Sequence, residues 1–432
     1  MPPADWLPWR TTGERGLRRT PAGNGPGVWI SQFPLPLRDV AVLRMLSAIG
    51  AGAVLYLTPM VFHRAALTAG DVGEGLAVAA LVGVAGRLLS GSLLDRGCSC
   101  TWPIGLSVLA SCLGDGVLLG ATTEGAYRLG QGFLGLAMGL YWPAIELAVP
   151  LTCGPVPSAK GFALARTADA FGIATGSLAG ALLAALGWLR GIYLLDLGGL
   201  SLMGLMLWHA PLPSQLSHER SPAAQPWTRG PWLADGHWLL PLAPLLGVVV
   251  LATAVPALMQ SALPLDLVRG GLLRPPLPES LGALTIGLQL GLLLMVQWPI
   301  GRALARKPVA LGLALSLVAF SSGTLLLAGS ALLPWGGWLL LAAQLPLALG
   351  AAAFLPTATE AVVELTGEAH RGLAMALFSQ CFAVSGLTAP LLGGWLLDRQ
   401  GHGVGLWLAT TGALLLGLPL VRRLRHYSAG VC

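Results

Sequence analysis

The chain has 432 residues, of which 55% are hydrophobic and only 10% are charged, and its formal net charge is +6. Soluble globular proteins average about 25% charged residues, so this composition excludes a protein with a mainly water-exposed surface. The apolar segments are close to the length that a helix needs to cross the hydrocarbon core, and they lack the alternation of membrane-barrel strands. We therefore expect an all-α integral membrane protein in the lipid bilayer.

The first part of the chain predicts a tail followed by six membrane spans. Residues 1–37 are rich in Pro, Gly and Arg and contain no apolar core of signal-peptide length, so they predict a polar cytoplasmic tail. An N-terminal six-helix bundle is expected over residues 38–210. Its spans are predicted at 40–62, 75–95, 102–122, 126–149, 161–186 and 190–209.

A polar stretch at 211–237 predicts a cytoplasmic linker, because no apolar span lies inside it. A C-terminal six-helix bundle follows at 238–425, and 426–432 form a short tail. The spans of this bundle are predicted at 238–263, 281–303, 309–330, 336–361, 371–397 and 404–423. Twelve spans in two sets of six suggest two related halves.

The basic residues predict which side of the membrane the termini occupy. When both termini are placed in the cytoplasm, most Arg and Lys residues fall in cytoplasmic segments, as the positive-inside rule requires. The outer loops then contain only Arg64, Arg190, Arg269, Arg274 and Arg399. Because the positive charge sits in connections between spans, it predicts orientation in the membrane, and we expect no nucleic-acid partner.

The two halves resemble each other in sequence, which predicts an internal repeat. In the fourth span Gln131 precedes Pro143 by twelve residues, and in the tenth span Gln344 precedes Pro356 by the same spacing. The two matching pairs lie six spans apart in the chain, as expected if the second half repeats the first.

Two short patterns extend this interpretation. Arg128, Gln131 and Gly132 open the fourth span as R-x-x-Q-G, and Gly91, Asp95 and Arg96 end the second span as G-x-L-x-D-R. With the twelve predicted spans, they resemble the major facilitator superfamily of secondary transporters. The loop pattern departs from that family after Arg96, where Cys98, Ser99 and Cys100 replace the basic run.

The second half has a counterpart of the loop pattern at Gly301 and Arg306, in which Ala305 replaces the aspartate. The resemblance implies two pseudo-symmetric six-helix bundles that rock about a central cavity. It also implies that the loop motifs latch one conformation, for which Gly91 would permit close helix approach and Asp95 would bond to the facing half. The departures in both copies suggest a weaker latch.

Ionisable residues inside spans are costly in hydrocarbon and are therefore read as functional. Asp115 in the third span, Arg128 in the fourth and Asp169 in the fifth are the candidates for the transport cavity or for coupling. Asp115 and Arg128 lie at similar depth on consecutive helices, so they could pair, either as a moving couple or as a static link. Asp169 could bind a proton or cation, or could pair with Arg166.

Uncharged polar residues at depth add further candidates for a cavity, which would bond a polar solute, or for hydrogen bonds that hold neighbouring helices together. They are Gln131, Gln260, Gln289, Gln344 and Gln380. Glu146 and Glu360 lie near the inner ends of spans, where solvation is the simpler explanation.

The sequence thus predicts a secondary active transporter of a small solute, proton-coupled, with export preferred over uptake. Neither a phosphate-binding G-x-x-x-x-G-K-[ST] loop nor a hydrolase motif occurs, so we expect no enzyme, no cofactor and no metal. We expect a multi-pass monomer with both termini in the cytoplasm. The degraded loop motifs leave one alternative, a transporter-like assembly factor or sensor; a membrane-embedded enzyme lacks the clustered residues it would need.

Overall fold

The computed structural model describes residues 32–156, 158–214, 239–304, 307–366 and 371–429. These residues form twelve long helices, and no strand occurs among them. The N-terminal half contains α1 (Leu35–Arg64), α2 (Ala69–Asp95), α3 (Thr101–Gly120), α4 (Glu124–Thr152), α5 (Ser158–Ala185) and α6 (Gly191–His209). The C-terminal half contains α7 (Leu239–Arg269), α8 (Glu279–Leu304), α9 (Val309–Ala331), α10 (Gly337–Leu365), α11 (Arg371–Gln400) and α12 (Val404–Ala429).

All twelve helices are long and apolar enough to cross a membrane, which confirms the predicted all-α architecture. One difference concerns α12, which continues to Ala429 although the apolar segment was predicted to end at residue 423. The apolar segment ends at the basic residues Arg422 and Arg423. The helix continues beyond them because its backbone hydrogen bonds do not depend on side-chain polarity.

Helices within the first half approach one another closely because glycines lie at their contacts. A Cβ atom added to Gly135 of α4 would lie 2.1 Å from the Ala79 carbonyl oxygen of α2. A Cβ atom at Gly176 of α5 would lie 1.8 Å from the Ile49 carbonyl oxygen of α1. Small residues permit such backbone contacts between membrane helices, where dispersion and packing take over from the hydrophobic effect.

Two pairs of helices, α2 with α11 and α5 with α8, make the main contacts between the halves, and α1 also contacts α7. We call the side on which α1 begins and α12 ends the terminal face, and the other side the opposite face. At the opposite face, the Asp398 carboxylate of α11 accepts backbone hydrogen bonds from Ala69 and Gly70 of α2, at 3.0 and 2.5 Å. Asp398 also pairs with Arg269 of α7 at 2.9 Å.

Further contacts close the opposite face. Arg64 at the end of α1 pairs with Glu279 at the start of α8, with Nε and Oε1 separated by 2.5 Å. A Cβ atom at Gly394 of α11 would lie 2.3 Å from the Ala69 carbonyl oxygen, so the α2 and α11 backbones touch there. The two halves are therefore joined at this face by one ion pair, by hydrogen bonds to Asp398 and by direct backbone contact.

Candidate functional site in the central cavity

A cavity of about 240 Å³ lies between the two halves. Helices α1, α4 and α5 line it from the first half, and α8 and α10 line it from the second. Its wall is mostly apolar. The lining residues are Arg44, Ser47, Ala48, Ala51, Leu55, Met138, Tyr141, Trp142, Arg166, Asp169, Ala170, Ile173, Leu290, Leu293, Leu294, Gln297 and Leu355.

A buried arginine organises the polar part of this cavity. The Arg44 side chain, fully buried, donates from Nε to Asp169 Oδ1 at 3.0 Å and from Nη2 to Asp169 Oδ2. Its Nη1 and Nη2 atoms both lie 3.2 Å from Glu146 Oε1 of α4. A guanidinium group presents several donors in one plane, so a single Arg44 holds carboxylates from two other helices.

Arg166 extends this network towards the open part of the cavity. Its Nη2 atom lies 3.1 Å from Glu146 Oε1, and its Nη1 atom lies 4.0 Å from Asp169 Oδ2. The guanidinium carbons of Arg44 and Arg166 lie 5.4 and 5.9 Å from the centre of the Trp142 ring, which is within cation–π range. The two cations and two carboxylates cancel, so the polar patch has no net formal charge.

Asp169 is the one predicted aspartate that lines the central cavity. The expected contact with Arg166 is present but long, and the shorter partner is Arg44, which the sequence interpretation missed. The same rule that selected Asp169, an ionisable residue well inside a span, applies to Arg44 and could have found it. The explanation of Glu146 by solvation alone is wrong, because both arginines bind this carboxylate.

The suggested pairing of Asp115 with Arg128 is wrong. Arg128 projects towards α2 and pairs with Glu74 and Glu124, and its side chain is 41% exposed near the opposite face. Asp115 is fully buried and its polar neighbour is Asp196 of α6. The two residues share a depth but lie on different sides of their helices, and helix depth alone does not determine which neighbour a side chain meets.

No protein-family model matches the sequence, and no curated protein matches it either. Among solved structures, the nucleoside transporter NupG is similar with a TM-score of 0.75 and 14% identity, over 90% of this chain and 99% of that chain. The peptide transporter POT in complex with sulfate has a TM-score of 0.71 and 14% identity, over 90% and 95% of the two chains.

A POT family transporter in complex with 5-aminolevulinic acid is similar with a TM-score of 0.70 and 12% identity, over 90% of this chain and 96% of that chain. These similarities extend over nearly the whole length of the known transporters. The chain has the major facilitator fold. At these identities the likeness establishes the arrangement of helices.

Within the major facilitator fold, the predicted glutamines lie mostly outside the central cavity. Gln131 and Gln344 are buried in α4 and α10, and Gln344 donates to the Leu340 carbonyl of its own helix at 2.7 Å. Gln380 is exposed on α11. The Gln260 side chain of α7 lies beside the Tyr56 hydroxyl of α1, across the boundary between the halves.

Gln289 of α8 has a buried amide oxygen with no hydrogen-bond partner among the described residues, and it is absent from the cavity wall. The glutamine that does line the cavity is Gln297, two turns further along α8. The sequence around Gln289 and Gln297 is apolar on all sides and does not indicate which of the two faces the cavity. The rotation of α8 about its axis in the assembled bundle determines this.

The charged residues of the first loop motif are not engaged in this conformation. Asp95 and Arg96 are exposed at the terminal face, and neither side chain makes an ion pair or hydrogen bond within the described ranges. Cβ atoms added to Gly91 and Gly301 would meet no atom within 4 Å, so the close approach expected at Gly91 is not formed here. Arg306 lies outside the described residues.

Proposed function

We propose that this protein is a secondary active transporter that moves a small solute across the membrane by alternating access. The observation that carries the proposal is the central cavity between two six-helix halves, with the Arg44–Asp169 ion pair on its wall. A buried ion pair is costly to place in a membrane protein, and such residues usually mark a substrate or ion pathway.

The contacts between the halves support two alternative orientations. At the opposite face, Asp398 and Arg64 link the halves, whereas Asp95 and Arg96 at the terminal face are unengaged. The structure thus has the features of a state that is shut on one side. Breaking the contacts of Asp398 and closing the terminal face would expose the same cavity to the other side, which is how rocking bundles transport a solute.

The cavity chemistry favours an amphipathic solute that is neutral or zwitterionic. Its apolar wall provides the contact area, while Trp142 and the four charged groups around it provide a polar end without net charge. A multiply charged anion would meet Asp169 and Glu146 as well as the arginines. The similar solved structures are named as nucleoside and peptide transporters, which supports a solute of that size and mixed polarity.

Orientation, coupling and direction are further parts of the proposal. The distribution of Arg and Lys supports cytoplasmic termini, which makes the terminal face the cytoplasmic one. We propose a proton as the coupled ion and a monomer as the working unit. A preference for export over uptake stays a prediction from the sequence. In a reversible carrier the gradients set the direction.

A thermal-shift screen of the purified protein against nucleosides, dipeptides and neutral amphipathic compounds tests this proposal. We expect a stabilising compound to be transported in proteoliposomes, and we expect Arg44→Gln to lose both stabilisation and flux. Arg422→Gln, which changes an exposed arginine at the end of α12, is the matched control. A stable copurifying protein together with no stabilising solute would instead identify a transporter-like assembly factor or sensor.

A further inference from the structure

Two carboxyl groups lie side by side inside the N-terminal half, away from the ion pairs of the central cavity. Asp115 of α3 is 0% exposed and Asp196 of α6 is 7% exposed. Neither oxygen of Asp115 accepts a hydrogen bond from a donor among the described residues, and the polar group that faces it is the Asp196 carboxyl. A hydrogen bond between two carboxyl groups requires that one of them carries a proton.

The packing leaves space for Asp196. A Cβ atom at Gly50 of α1 would lie 1.7 Å from Asp196 Oδ1, so the carboxyl occupies the place that any larger residue would take. Asp196 also lines a small cavity of about 60 Å³, whose other polar lining groups are Ser47, Ser107, Ser111 and Tyr141. A cavity of this size and polarity has room for water.

This small cavity adjoins the central one. Ser47, Met138 and Tyr141 are among the side chains that line both cavities, so a single layer of side chains separates Asp196 from the solute cavity. The Tyr141 hydroxyl lies beside Ser47. Two hydroxyl groups therefore lie in the layer between the central cavity and the small cavity that Asp196 lines.

Among the described residues, no cation balances the pair. The titratable groups that face it are Cys112 of α3 and Tyr193 of α6, with Tyr141 of α4 across the small cavity. From α1 the neighbours are Gly50 and Ser47, which are uncharged. Arg190, which directly precedes α6, donates from its Nη1 and Nη2 atoms to the Leu119 and Ala121 carbonyl oxygens at the opposite face.

Two adjacent carboxylates without a cation cannot both stay ionised in an apolar interior, because repulsion and lost solvation both oppose it. A metal ion would relieve the charge only with several oxygen ligands around it, and no group of three or more His, Cys, Asp or Glu residues occurs in the described part of the chain. A proton needs just the two carboxyls.

We propose that Asp115 and Asp196 form the proton-binding site that couples this transporter to a proton gradient. The pair takes up one proton, shared between Asp115 and Asp196, and releases it through the layer that contains Ser47 and Tyr141. No bond other than O–H changes. This inference rests on the proposed transport function, so its first test does not involve transport.

Infrared spectroscopy of the full-length protein in lipid measures the proton directly. A protonated carboxyl has a C=O stretching band that a carboxylate lacks. We expect such a band at neutral pH in the wild type, a changed frequency of this band in Asp115→Asn and in Asp196→Asn, and its loss in the variant that carries both substitutions. The control Asp95→Asn, which removes an exposed carboxylate, should keep the band. A band that survives both buried substitutions, or one that sodium ions abolish, would overturn the proposal.

Flux measurements in proteoliposomes then test coupling. A gradient of about one pH unit can support roughly tenfold accumulation of a solute per proton. We expect the wild type to accumulate solute in this way, and Asp115→Asn and Asp196→Asn to lose accumulation while retaining solute exchange without a gradient. Accumulation that persists in both variants would overturn the coupling role. Absence of flux in the wild type would refute the transport function, while the infrared band would still decide the proton site.

Discussion

The carboxylate of Asp398, at the end of α11, accepts a hydrogen bond from the backbone N–H of Ala69, at the start of α2, over a distance of 3.0 Å. A helix N-terminus carries unpaired N–H groups and a partial positive charge, so an anion from another helix is stabilised there. Asp398 and α2 belong to different halves. Their contact therefore holds the two halves together at the N-terminal end of α2.

Replacing Asp398 should open the opposite face. The substitution Asp398→Ala removes the acceptor for Ala69 and Gly70 and the partner of Arg269, and hydrogen bonds to charged groups contribute about 1.5–3 kcal/mol each. We expect spin labels at exposed Thr122 and Leu332, on the two halves, to report a larger population of long distances. The labels are attached to cysteines introduced at these two positions in a variant that lacks the native cysteines. Unchanged label distances would show that Asp398 does not hold the halves together.

Glycines at the two faces should respond differently when a methyl group is added. Gly394→Ala would place its Cβ 2.3 Å from the Ala69 carbonyl oxygen and should force α2 and α11 apart, which lengthens the same label distance. Gly91→Ala, its matched control, meets no atom within 4 Å and should leave the closed opposite face intact. If Gly91→Ala lengthened the distance as Gly394→Ala does, the opposite face would not be the closed gate.

Breaking the Arg44 network should destabilise the protein. Removing one partner of a buried ion pair leaves an unpaired charge and costs about 3–5 kcal/mol, so Arg44→Gln should lower the midpoint of thermal unfolding strongly. Arg166→Gln removes a side chain that is 56% exposed, and exposed pairs contribute only about 0.2–1 kcal/mol.

The double variant Arg44→Gln with Asp169→Asn provides the internal control for this network. Because it removes both charges, it should be less destabilised than the sum of the two single variants. Strictly additive losses in unfolding midpoint would mean that Arg44 and Asp169 do not interact energetically, in spite of the 3.0 Å distance between Nε and Oδ1.

Two neighbouring cysteines should report the orientation of the terminal face. Cys98 is half-buried in the connection between α2 and α3, whereas Cys100 is fully buried, and burial raises the pKa of the Cys100 thiol to about 11. Because the thiolate is the reactive form, Cys100 stays unreactive at neutral pH. In a Cys432→Ser background, a membrane-impermeant maleimide should label Cys98 only after the membrane is permeabilised.

The variant Cys98→Ser is the control for that labelling. It should abolish the signal, since Cys100 remains protonated and covered. Labelling of Cys98 in sealed, right-side-out cells would place the terminal face outside and would contradict the cytoplasmic termini that the Arg and Lys distribution predicts.

The number of helices and their pairing into two halves were determined by the sequence alone. Each span is a run of apolar residues long enough for the hydrocarbon core, which is a local property that needs no tertiary contact. The repeated spacing of Gln131 with Pro143, and of Gln344 with Pro356, predicted equivalent helices, and both glutamines are indeed buried in α4 and α10.

The partners of the buried charged residues were decided only by the tertiary structure. Arg44 lies 125 residues from Asp169 and 102 residues from Glu146 along the chain, and Asp115 faces Asp196 rather than Arg128. A helix that is apolar on all sides has no amphipathic face to show how it is rotated about its axis. Packing of the glycine-rich contacts sets that rotation, and the rotation determines which charges meet.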